Sequence, residues 1–71
     1  YAKRVMIRGI TSIPTLAGIK DIKINGDTIN FLYSGELNLL LHMLAGLSIT
    51  DVNISEPDLE EIFMHYYREE E

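Results

Sequence analysis

Glu61 and His65 stand four residues apart in the stretch EPDLEEIFMHYY, residues 56–67, so on a helix they share a face and have the reach to share a metal or trade a proton. Two ligands on one helix with no third nearby make a poor metal site, and a surface ion pair or a His near a helix C-terminus accounts for them more simply. His42 stands alone in a leucine-rich stretch and is expected at the solvent edge of a helix. The chain has no G-x-x-x-x-G-K-[ST] loop to cradle phosphates with backbone amides and no acidic strand end to hold Mg²⁺, so these residues by themselves are not expected to hydrolyse ATP. There is no Cys, which excludes disulfides and thiolate metal sites. The expectation is therefore no catalytic residue, no metal ligand and no cofactor site, and the remaining question is which surfaces bind.

Length and charge narrow that question. With 71 residues the chain supports one domain, residues 1–71, and a domain this small buries only about 60% of its unfolded surface, so a contact with a neighbour would matter to its stability. It opens at Tyr1 without Met, and the expectation is a piece of a longer protein with any catalytic machinery upstream. Net charge is −5, unevenly placed: five of six Lys and Arg lie at or before Lys23, and eight of eleven Asp and Glu lie from Asp51 onward. An acidic total argues against nucleic acid as a partner. The longest apolar stretch, LNLLLHMLAGL at residues 37–47, is too short for a bilayer crossing of about 20 residues, and no basic leader precedes an apolar run, so neither membrane insertion nor a signal peptide is expected.

The elements that must position these residues follow from periodicity. KRVMIRG, residues 3–9, alternates as a half-buried strand with Val5 and Ile7 inward. TSIPTLAG, residues 11–18, allows one or two helical turns, with Ser12 as cap, Pro14 near the start and Gly18 at the end. IKDIKIN and TINFLYS are strands joined at Asn25-Gly26-Asp27, a signal for a type I′ hairpin; Ile22, Ile24, Ile29, Phe31 and Tyr33 face the core. Ser34 caps a helix whose Leu37, Leu40, Leu41 and Leu44 point inward and which Gly46 ends. A last strand buries Val52 and Ile54, and Glu56-Pro57 opens a final helix with Asp58, Glu60 and Glu61 in its first turns, where the macrodipole favours acids. The order is βαββαβ with an added C-terminal helix: an α+β, ferredoxin-like fold with two helices on one face of a four-stranded antiparallel sheet.

Two candidate interaction surfaces come from that arrangement. The open sheet face carries Arg4, Met6, Arg8, Lys23, Asn30, Leu32 and Asn53, with an apolar centre at Met6 and Leu32 and no aromatic for base stacking. Tyr66 and Tyr67 either join an exposed aromatic patch or complete the core, whereas Leu59, Ile62 and Phe63 are assigned to burial, where Phe63→Ala would cost about 3–5 kcal/mol.

The stretch GIKDIKINGDTINFLYSGELNLLLHMLAGLSITDVNISEPDLEEIFMHYY resembles the C-terminal extension that follows the nucleotide-binding domain in many bacterial ABC transporter ATP-binding proteins of the exporter type. The ending carries the most specific part of the likeness: Pro57, Leu59, Glu60, Glu61, Ile62 and Phe63 stand where that family has Pro, a variable residue, Leu-Glu-Glu or Leu-Glu-Asp, an aliphatic residue and Phe. The resemblance implies a noncatalytic regulatory or assembly domain. Its partners would be its own upstream nucleotide-binding domain, a twin in a homodimer, and a membrane permease subunit reached through the parent. The parent would use ATP and Mg²⁺ on the cytoplasmic side of the cell membrane to power export. A reading from another class is a small-molecule sensor like the ACT domains, which share this topology; Gly9 and Gly18, flanking the first crossover, are where an effector would approach the backbone.

Overall fold

Alternation in β1 (Lys3–Arg8) sends Val5 and Ile7 into the core, each fully buried, and leaves Arg4 and Arg8 exposed. The computed structural model describes residues 2–57 together with Glu60 and Phe63. Within them β2 (Ile19–Asn25) and β3 (Thr28–Tyr33) form a hairpin, α1 (Leu37–Ala45) follows, and β4 (Asp51–Ser55) closes an α+β fold. The sheet has four strands in the order β2-β3-β1-β4, every neighbouring pair antiparallel. Val5 pairs with Phe31 and Ile7 with Ile29, so the inward residues of the two central strands lie side by side. Leu40 and Leu44 of α1 seal them, and Ile10, Ile13 and Leu16 of the first crossover pack against the same cluster.

That crossover holds no helix, contrary to the expectation for residues 11–18. Ile13, preceding Pro14, is biased out of the α region, and only Thr15, Leu16 and Ala17 remain before Gly18, too few to nucleate a turn. The segment instead covers the sheet with three apolar side chains on an irregular backbone. The helix also begins later than Ser34. The Ser34 N–H donates to the Gly18 carbonyl at 3.0 Å, which holds Ser34 to the crossover, and the N-cap is Glu36, with no side-chain cap. Tyr33 replaces the cap as the anchor: its ring is buried in the core and its hydroxyl donates to the Glu36 carbonyl at 2.6 Å, tying the start of α1 to the sheet. Gly46 ends the helix as expected, donating to the Met43 carbonyl at 3.1 Å.

The hairpin turn has Gly26 and Asp27 as its central residues, since Asn25 pairs with Thr28. Gly26 has φ of +63° whereas Asp27 does not have a positive φ, so the φ signs are those of a type II′ turn, with Gly first, and not of type I′. Further along β2, Lys20 pairs with Leu32 but Lys23 with Asn30, so Asp21 and Ile22 together oppose Phe31 in a β-bulge. Asp21 takes the left-handed conformation there, with φ of +55°.

The expected core is too wide for what covers it. Among the described residues, one helix about 10 Å across packs on a four-stranded sheet about 14 Å wide and is too narrow to reach the sheet's edges. Ile22 and Ile24 on β2 are 49% and 55% exposed and Val52 on β4 is 39% exposed, all three expected to be buried, while Ile54 is only half-buried. Leu37 and Leu41, on the flank of α1, are likewise exposed, which narrows its buried stripe to Leu40 and Leu44.

Candidate interaction surface

The register fixes the open sheet face row by row. Arg4 lies between Ser55 and Leu32, and Leu32 lies opposite Lys20. In the next row Met6 lies between Asn53 and Asn30, and Asn30 lies opposite Lys23. In the third, Arg8 lies between Asp51 and Thr28. All seven residues expected on this face are on it, and the helix and the crossover pack on the opposite face.

Lys20 is the member that alternation hides. Counting back by two from Ile24 puts Lys20 on the core side with Ile22. The bulge at Asp21 and Ile22 inverts the parity, so Lys20 joins the open face and Ile19 turns inward opposite Tyr33. The signal was available in the Asp itself: a residue poorly suited to strands yet tolerant of the left-handed region, set between Lys20 and Ile22.

Among the described residues, Arg4, Arg8, Lys20 and Lys23, four of the chain's six cations, thus lie in these three rows with one acid, Asp51. The Asp51 carboxylate accepts the N–H of Val52 at 2.9 Å, which occupies one of its oxygens locally. Met6 and Leu32, both half-buried, sit diagonally on adjacent strands in the middle. Lys3 belongs to the other parity, opposite Tyr33, and donates to the Glu56 carboxylate just beyond β4. That hydrogen bond, reinforced by the ammonium charge, holds the Glu56 carboxyl below its ordinary value of 4.5.

The remaining candidates disperse. Phe63 is helical and 66% exposed, so the burial expected of it does not hold, and Glu60 is helical and exposed. Pro57 is half-buried. Leu59, Glu61, Ile62, His65, Tyr66 and Tyr67 lie outside the described residues, and with them the Glu61–His65 pair and the aromatic patch. His42 is exposed on α1, as expected, and no group of three metal-ligating side chains occurs among the described residues. Gly9 and Gly18, with φ of +105° and +100°, are filled from within: a Cβ on Gly9 would come within 2.8 Å of the Thr50 nitrogen, and one on Gly18 within 2.8 Å of the Gly35 nitrogen. These glycines allow close approach of the chain to itself rather than to an effector. Among the described residues no helix is long and apolar enough to cross a membrane.

No family model, curated protein or solved structure matches this chain. The surface therefore stands on its geometry and charge.

Proposed function

We propose that this chain is the noncatalytic C-terminal regulatory or assembly domain of an ABC transporter ATP-binding protein, with a ferredoxin-like sheet in which the first crossover helix has been reduced to an irregular strap. The observation that carries the reading is the exposure of Ile22, Ile24, Leu37 and Leu41 on the core side, where the helical layer among the described residues is incomplete. A domain that covers its own sheet so thinly is suited to work attached to a larger body. The strand order β2-β3-β1-β4 with antiparallel neighbours is that of the split βαβ arrangement, and the ending with Pro57, Leu59, Glu60, Glu61, Ile62 and Phe63 supplies the likeness to that family. The domain would pack on its own upstream nucleotide-binding domain, approach its twin in the ATPase dimer, and reach the membrane permease only through the parent, at the cytoplasmic face of the membrane. ATP and Mg²⁺ would belong to the parent. An effector-sensing role is the less favoured reading, because Thr50 and Gly35 occupy the space beside Gly9 and Gly18.

The test begins with the reading frame upstream of Tyr1. A G-x-x-x-x-G-K-[ST] loop in frame, followed by a change in ATPase rate or in ATP-dependent dimerisation when residues 1–71 are deleted from the parent, is the expected result. An upstream frame without a phosphate loop overturns the proposal.

A further inference from the structure

We infer that the open face of the sheet is a docking surface for an acidic protein segment that presents a large apolar side chain between its carboxylates, an inference that holds whether or not the chain belongs to a transporter ATPase. The register is the first ground. Arg4 and Arg8 lie on β1, while Lys20 and Lys23 lie two strands away on β2. Strand geometry puts the two columns about 10 Å apart and Arg4 about 13 Å from Arg8 along the strand. Row by row, Arg4 and Lys20 flank the half-buried Leu32, Lys23 shares the second row with the half-buried Met6, and Arg8 lies in the third, so that Met6 stands between Arg4 and Arg8 on β1. An extended segment with carboxylates at positions i and i+4 spans the same 13 Å or so and turns its i+2 side chain to the same side. Glu-x-Leu-x-Glu is the simplest occupant.

Charge selects among anionic partners. The face is cationic on a chain of net charge −5, so its field is local, and a ligand much longer than the face would run onto acidic surface. A long nucleic acid meets that penalty at once. The face also places no aromatic side chain in its three rows, and single-stranded nucleic acids bind such sheets largely by stacking on aromatics. Pairing with the same face of a second copy would bring four cations against four. A short acidic segment avoids all three difficulties, and its apolar side chain covers Met6 and Leu32.

The experiment titrates the isotope-labelled 71-residue chain with an acetylated and amidated peptide, Ser-Glu-Ser-Leu-Ser-Glu-Ser, followed by amide chemical shifts at low salt. The expected shifts lie in β1, β2 and around Leu32, and weaken as salt is raised. Arg8→Glu with Lys23→Glu, both exposed and without an ion pair among the described residues, is expected to raise the Kd by roughly tenfold or more with an unchanged melting curve. Replacing both peptide glutamates by glutamine is expected to abolish the shifts. Shifts confined to α1, no shifts at saturating peptide, or binding indifferent to the double charge reversal each overturn the proposal. So does a result in which oligouridylate or phosphatidylserine vesicles perturb this face and the peptide does not.

Discussion

Single side chains set what can be measured most directly. Tyr33 does two jobs, filling the core with its ring and holding the Glu36 carbonyl with its hydroxyl. Tyr33→Phe separates them: the packing stays, the bond is lost, and a destabilisation of about 0.5–1.5 kcal/mol in urea denaturation is expected. A loss of several kcal/mol would mean that the start of α1 depends on that hydroxyl far more than one hydrogen bond allows. Phe63 gives the opposite contrast with Phe31, which is 2% exposed against 66% for Phe63. Phe31→Ala is expected to cost about 3–5 kcal/mol and Phe63→Ala less than about 1 kcal/mol in the isolated chain. Glu56 offers a pH test. Its folded carboxyl titrates below its unfolded value because Lys3 favours the charged form, so the stabilisation is present above pH 4.5 and is lost as pH falls through the folded value. Lys3→Met is expected to move the Glu56 titration upward towards 4.5, followed by carboxyl carbon shifts; no movement would mean that the pair is not formed in solution.

At the scale of elements, the bulge in β2 decides which face each residue serves. Asp21 holds a backbone conformation that a β-branched residue strongly resists, so Asp21→Val is expected to destabilise by about 1–3 kcal/mol, while Asp21→Gly keeps the bulge. If Asp21→Val were neutral and the β2–β3 amide connectivity shifted by one, the bulge would be a weak preference and Lys20 would return to the core side. The same bulge explains why the sheet was readable from the sequence only in part. The strands, the hairpin position and the membership of Arg4, Met6, Arg8 and Leu32 in one face follow from period-two alternation, which is strict in β1 and β3. Alternation cannot register an inserted residue, so Lys20 was hidden, and it cannot measure width, so Ile22, Ile24 and Val52 read as core although one short helix does not reach them. The crossover was misread for another reason. Pro14 suits a helix start, but the bias it places on Ile13 and the few residues left before Gly18 favour an irregular backbone over even one turn.

The whole molecule has two unlike faces, and they respond differently to change. The open face is charged and framed, whereas the helical face has apolar side chains at its margins that nothing among the described residues covers. Because Ile22 and Ile24 remain about half exposed, replacing both with Thr removes little burial, and the melting temperature of the isolated chain should fall by no more than a few degrees, with about 4–8 °C corresponding to 1 kcal/mol at this size. The cost in a larger assembly is a separate matter. If these side chains are the contact with an upstream ATPase domain, the same double substitution in the parent should loosen that packing, seen as faster amide exchange in β2 and easier proteolysis between the domains, while the isolated chain shows neither defect. A fall of ten degrees or more in the isolated chain would instead show that Ile22 and Ile24 are structural within these residues. The thin helical layer would then be a complete core, with no need of a covering body at its margins.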